Sequence, residues 1–150
     1  MNVLESIMLS LQQWEWVGIL LARLSVGVLF AISGYGKIFV EEKRGQMRET
    51  LKNAGVPLPK INAIFVSWVE LIFGILLVLG FLTPVACLML SGVMIVAILT
   101  VKLKGIESAS LSGWLGEFLF LPEVLYLVIL IWLFFSGPGL ISLDRLILVQ

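Results

Sequence analysis

The chain contains no histidine. That absence excludes His-ligated haem, the Ser-His-Asp triad and zinc sites built on imidazole. It contains one cysteine, Cys87, so neither an intramolecular disulfide nor a CxxC redox pair can form. Cys87 reads as a small apolar residue inside a helix. Charge is also scarce. Only 13% of the 150 residues are Asp, Glu, Lys or Arg, about half the share of a soluble domain. The ten basic and ten acidic residues cancel, which removes the electrostatic case for a nucleic-acid partner. What fills the chain instead is apolar: 60% of the residues, with a mean hydropathy of +1.11. A soluble fold of this length could not hide that much apolar surface, whereas a bilayer removes the need to hide it. The length suits a single domain over residues 1–150.

The apolar residues fall into four runs, at about 17–39, 61–82, 84–101 and 118–135. Each is near the length that crosses a hydrocarbon core at 1.5 Å per residue. The predicted fold class is therefore an all-α membrane protein, a bundle of four transmembrane helices. Gly80 to Pro84 makes the second connection so tight that spans two and three must be antiparallel neighbours. Pro84 suits the first turn of a helix. The 1–2 loop predicts an amphipathic helix of its own, because Met47 and Leu51 lie four apart. Asn53-Ala54-Gly55 ends that helix, and Val56 to Pro59 reads as an extended lead into span two. It suits either a solvated connector resting on headgroups or a surface that meets a partner.

The N-terminal region does not read as a signal peptide. Met1 to Trp16 holds no Lys or Arg, and the first run is too long and lacks an A-x-A exit. This stretch reads as a short interfacial segment, with Trp14 and Trp16 at headgroup depth. At the other end, Gly137-Pro138-Gly139 stops span four, and Ser142 is a candidate N-cap for a short last segment. Orientation follows from the basic residues. The 1–2 and 3–4 loops carry Lys43, Arg44, Arg48, Lys52, Lys60, Lys102 and Lys104, against Arg145 alone on the other side. Both longer loops are therefore expected in the cytoplasm and both termini outside.

The informative residues are the charges inside the runs: Arg23, Lys37, Glu70 and Glu123. An unpaired charge at the bilayer centre costs about 2.5–3.5 kcal/mol on insertion scales, so two of each sign point to internal pairing. Lys37 and Glu123 lie near helix ends, where long side chains snorkel. Arg23, Gly27, Phe30, Gly34 and Lys37 form one stripe of span one, and Ala63, Ser67, Glu70 and Gly74 one stripe of span two. Stripes of small residues and charge turn inward in membrane bundles. Counting depth from the helix ends pairs Arg23 with Glu70 and Lys37 with Glu123, or joins all four in one network. Such a cluster either fixes helix register or forms a polar site for a ligand or proton. Tyr126, three residues after Glu123 on the same face, reads as a packed interfacial aromatic, and its hydroxyl adds it to the candidate polar cluster.

These residues also carry a resemblance. Arg23 with Gly27, followed by Ser33-Gly34-Tyr35-Gly36-Lys37, resembles the first helix of the DoxX family. Ala54-Gly55-Val56-Pro57 is similar to the loop that precedes that family's second helix. Glu70-Leu71-Ile72-Phe73-Gly74, with Leu79-Gly80 and Thr83-Pro84, is similar to the second helix and its turn. Gly137-Pro138-Gly139 with Ser142-Leu143-Asp144 resembles the C-terminal signature. Together the motifs extend from Leu20 to Asp144, and their order and spacing carry the likeness.

The resemblance implies a four-helix bundle in the bacterial inner membrane. It also implies association with membrane redox chemistry, such as a thiosulfate:quinone oxidoreductase or a thiol and oxidative-stress complex. Quinone becomes a candidate cofactor by that route alone. The expected role is an accessory subunit beside a redox partner protein, not catalytic by itself, since no nucleophile or general base with an evident partner can be named. Lipid is the certain partner class. The alternatives are a small proton-coupled transporter and an assembly factor that receives a client helix. Buried ionisable residues favour the transporter. One small unit with no visibly broken helix counts against it, although homo-oligomerisation would answer the objection of size.

Overall fold

The computed structural model describes residues 5, 10, 12–106 and 110–148. Every regular element among them is a helix. The helices are α1 Glu15–Phe39, α2 Glu41–Asn53, α3 Pro59–Leu79, α4 Thr83–Ala97, α5 Leu111–Leu119, α6 Pro122–Ser136 and α7 Leu143–Leu148. A π-helical turn, Ile98–Lys102, and a 3-10 turn, Leu103–Gly105, prolong α4. The N-terminal interfacial segment expected over Met1 to Trp16 lies mostly outside the described residues. Within it, the rings of Trp14 and Trp16 stack with centroids 6.5 Å apart.

Among the described residues three helices are long and apolar enough to cross a membrane: Glu15–Phe39, Pro59–Leu79 and Thr83–Gly105. The fourth apolar run is not one straight helix. It divides into α5 and α6, which meet at 63°. Leu121 precedes Pro122 and takes an extended conformation, φ −66° and ψ 123°, because the proline ring crowds the helical one. The expectation that no helix is visibly broken therefore fails here. At 1.5 Å per residue α6 alone spans about 22 Å, short of the roughly 30 Å core, so this pair makes a fourth crossing only if α5 and α6 together form one span. The whole is an all-α membrane bundle.

Local sequence sets the helix ends. Glu41 and Glu42 open α2 and Lys52 closes it, each sign suiting its end of the helix dipole. Gly55 and Gly80, at φ +74° and +65°, then end α2 and α3. In each case the next two amides turn back on the last helical turn: Gly55 N–H to Lys52 and Val56 N–H to Leu51, Gly80 N–H to Leu77 and Phe81 N–H to Leu76. The lead into α3 is less extended than expected, since Leu58 sits in the left-handed region at φ +48°.

Packing follows the stripes read from sequence. Ile19, Arg23, Val26, Gly27, Phe30, Gly34 and Gly36 are the buried face of α1, and Ala63, Ser67, Val69, Glu70, Gly74 and Leu77 that of α3. The two backbones touch. A Cβ on Gly34 would lie 2.5 Å from the Leu71 nitrogen, and one on Gly74 2.6 Å from the Ala31 nitrogen. The core sits where α1, α3, α4 and α6 converge, on Phe30, Leu77, Cys87, Leu90, Leu130 and Leu133. Cys87 is fully buried there. The outside is equally apolar: Leu21, Ile32, Phe65, Leu88, Leu99 and Phe135 are all more than half exposed, the belt a bilayer covers.

Candidate functional site

The antiparallel register of α1 against α3 decides where each buried charge goes. Gly34 packs on Ser67 and Leu71, and Gly27 on Gly74 and Val78. Ser33 therefore falls beside Glu70, and Arg23 beside Gly80. Arg23 and Lys37 are fourteen residues apart on one helix, about 21 Å along its axis. They belong to opposite ends of the bundle. The expected Arg23–Glu70 and Lys37–Glu123 pairs do not form, and neither does a single network of four. Depth counted from helix ends misplaced Glu70, which lies level with Ser33, ten residues or about 15 Å along the helix axis from Arg23.

At one end Arg23 closes a clasp. Its guanidinium donates to the Pro138 carbonyl and, at 2.5 Å, to that of Ile141, both in the segment after α6. Asp144 completes the closure. Its carboxylate accepts the Leu82 N–H at 2.7 Å and the Thr83 N–H at 2.8 Å, so it caps α4 from 61 residues away. Its own N–H donates to the Gly80 carbonyl at 2.9 Å. Ser142 accepts the Arg145 N–H at 3.2 Å, as its expected N-cap role requires. Arg23 and Asp144 are almost fully buried. Their partners are backbone groups, so this end is a structural fastening. A broad hollow of about 660 Å³ lies beside it, lined by Gln12, Glu15, Trp16 and Arg145 among others. Among the described residues it holds no ion pair.

At the other end the Lys37 ammonium bridges both Glu70 oxygens, at 2.8 and 2.6 Å, and the Ser33 hydroxyl donates to Glu70 at 3.1 Å. Glu70 is buried and Lys37 mostly so. A second pair, Lys102 with Glu123 at 2.8 Å, ties the end of α4 to the start of α6. The other Glu123 oxygen, Oε2, is buried and has no hydrogen-bond partner among the described residues. Both pairs line one cavity of about 250 Å³. Its other walls are mainly apolar, with Val66, Val93 and Met94 on the helices and Met47 and Leu51 reaching over from α2. Lys104 donates to the Ala54 carbonyl at 2.6 Å and holds α2 in that position.

The turn that delivers Lys102 is the π-helical one, Ile98–Lys102. Such a turn inserts an extra residue and re-aims the side chains after it, and it recurs at functional sites. Thr100, Val101 and Lys102 all line the cavity as a result. Tyr126 does not. Its ring packs edge-on against Phe30, centroids 6.0 Å apart, at the rim of the core.

Of the sequence candidates, then, Lys37, Glu70 and Glu123 meet at one cavity, while Arg23 and Tyr126 do not join them. Lys102 and Asp144 were missed as functional partners. Lys102 reads as a loop cation because the apolar run stops at Val101; the one signal was a Glu123 left without a cation on its own helix. Asp144 stood only inside the C-terminal motif. Among the described residues no group of three Cys, Asp or Glu side chains could hold a metal ion.

Comparison with known proteins places the chain among membrane proteins. The chain is 33% identical over 127 residues to an uncharacterized membrane protein of Mycobacterium tuberculosis, a match covering 82% of this chain and 77% of the relative. No solved structure matches significantly. The DoxX family profile matches residues 18–103, a stretch that includes Arg23, Lys37, Glu70, Lys102 and the π turn between them, and on these matches the chain belongs to the DoxX family of membrane proteins.

Proposed function

We propose that this chain is an accessory subunit of a membrane redox or oxidative-stress complex, and that its charged cavity holds the head of a small amphipathic carbonyl compound of the quinone class. One observation carries the reading: two lysine–carboxylate pairs face a single, otherwise apolar cavity of about 250 Å³. That volume lies just below the roughly 300–1,000 Å³ of pockets that enclose a whole drug-sized ligand. It suits a ring whose tail stays in lipid.

The residues fit such a group. Lys37 and Lys102 are ammonium donors with hydrogens to spare for a carbonyl oxygen. Glu123 Oε2, buried and unpartnered, is placed to accept or return a proton. A bound quinone would supply two-electron carrier chemistry. The chain's own part is to hold the ring, to orient its oxygens and to move a proton at Glu123, with electrons exchanged by a partner protein. The setting is a bacterial inner membrane with the cavity end in the cytoplasm. Seven loop cations gather on that side, against Arg145 on the other, which supports the orientation.

Quinone content of protein purified in mild detergent tests the proposal. Losing one charge-assisted hydrogen bond costs about 1.5–3 kcal/mol, so Lys102→Met should retain about tenfold less quinone than wild type. Equal retention, or none in either protein, would sink the quinone reading. The broken α5–α6 segment and the free Glu123 oxygen favour a second reading, a proton-coupled carrier. In quinone-free vesicles that reading expects proton flux that Glu123→Gln abolishes.

A further inference from the structure

A second basic site lies on another side of α2. A groove of about 170 Å³ separates the amphipathic helix from α3, lined by Arg44, Met47 and Arg48 on one wall and by Ile64, Ser67 and Trp68 on the other, with Lys37 of α1, already paired with Glu70, at its end. Arg44 and Arg48 are four residues apart and share one helix face. Both side chains are partly buried, and the Nε atom of each is buried without a hydrogen-bond partner. Neither guanidinium belongs to an ion pair among the described residues. The acids of the same helix do not answer them: Glu42 accepts from Gln46, and Glu41 and Glu49 are exposed.

An arginine needing only solvation would turn its head to water and leave its stem on the apolar surface. Here the Nε of both arginines is buried and both side chains line the same groove, where no acceptor among the described residues meets them. The opposite wall shows what kind of acceptor fits. Ile64 and Trp68 are 49% and 45% exposed, and they continue the groove along the lipid-facing surface of α3. A basic mouth at the membrane surface that runs into an apolar track matches a molecule with an anionic head and an acyl tail.

We propose that this groove binds an anionic glycerophospholipid, with Arg44 and Arg48 on its phosphate and Ile64 and Trp68 beside the first part of an acyl chain. A planar guanidinium presents two parallel donors to phosphate oxygens, a geometry that lysine lacks. Two cations without an ion-pair partner in one groove, beside a Lys37 that Glu70 already neutralises, select a headgroup of net negative charge over a zwitterionic one, whose choline they repel. A free phosphate would satisfy the arginines but leave the Ile64–Trp68 wall without a role. The bound lipid pins α2 against α3, and with it the cover of the neighbouring cavity. The groove shares Lys37 and Met47 with that cavity, but lipid binding here does not require a quinone there.

The test is native mass spectrometry of the purified full chain, delipidated and then offered phosphatidylglycerol and phosphatidylcholine in equal amounts. Wild type should retain phosphatidylglycerol about tenfold over phosphatidylcholine, the worth of one or two charge-assisted hydrogen bonds. Arg44→Gln with Arg48→Gln should bring the two lipids to parity, while Arg44→Lys with Arg48→Lys should keep a reduced preference. Thermal midpoints should rise with phosphatidylglycerol and not with millimolar inorganic phosphate. Parity in wild type, a preference that survives the double glutamine variant, or an equal rise with inorganic phosphate would each overturn the proposal. Should the glutamine variant not fold, the wild-type lipid ratio and the phosphate control still decide.

Discussion

Lys37 and Glu70 form a contact that three atoms define, and its energetics can be separated from the rest of the bundle. Removing one partner of a buried pair costs about 3–5 kcal/mol, because the other charge is left behind. Lys37 keeps 23% of its side-chain surface exposed, which favours the lower part of that range. Lys37→Met should therefore lower the thermal midpoint in detergent clearly. Lys37→Met with Glu70→Met should recover part of the loss, since the orphaned charge is gone. A double variant whose loss equals the sum of the two single losses would show that the residues do not act as a pair. The presence of these charges was legible from sequence, but their pairing was not. Type and approximate depth come from the chain itself, whereas a pair depends on a register set by Gly34 and Gly74 on two different helices.

Helix contact is the next scale. α1 and α3 approach until backbone meets backbone, and the glycines in that contact differ sharply from those elsewhere. A methyl at Gly34 would meet the Ser67 carbonyl oxygen at 2.6 Å and the Leu71 nitrogen at 2.5 Å, neither of which can rotate away. A methyl at Gly92, inside α4, would meet nothing within 4 Å. Gly34→Ala should push α1 from α3 and destabilise by about 1–3 kcal/mol, the cost of overpacking. Gly92→Ala should stabilise by about 0.5–1 kcal/mol through helix propensity alone. Melting curves of the two variants check the contrast, and a Gly34→Ala protein as stable as Gly92→Ala would refute the close approach. The stripes that bring these helices together were readable as a four-and-three spacing. The break between α5 and α6 was hidden, because Leu121-Pro122 sits inside an unbroken apolar run and hydropathy does not sense a backbone dihedral.

Across the whole molecule the C-terminal segment acts as the fastening. Pro138, Ile141 and Asp144 reach back to Arg23 and to the α3–α4 turn, so this segment holds the first helix and that turn together. Truncation after Gly139 should remove the Ile141 carbonyl and the Asp144 cap at once. Arg23 would then be buried with too few acceptors, and the protein should lose its single peak in size-exclusion chromatography. Arg23→Met in the truncated chain should restore part of that peak, because the buried charge is removed. An unaltered truncated protein would show that the clasp is dispensable.

Composition, run length and the spacing of small residues were enough to determine an all-α membrane bundle, its buried faces and the amphipathic helix after the first span. Those properties are local, or follow from a repeat along one helix, and the chain writes them directly. Which charge meets which was decided only by the tertiary structure. So were the division of the polar residues between a fastening and a cavity, the recruitment of Lys102 by a π turn, and the meeting of Arg44 and Arg48 with α3 across one groove. Each depends on the register, bend or approach of two elements distant in sequence, and a side chain's partner is set by that distance in space.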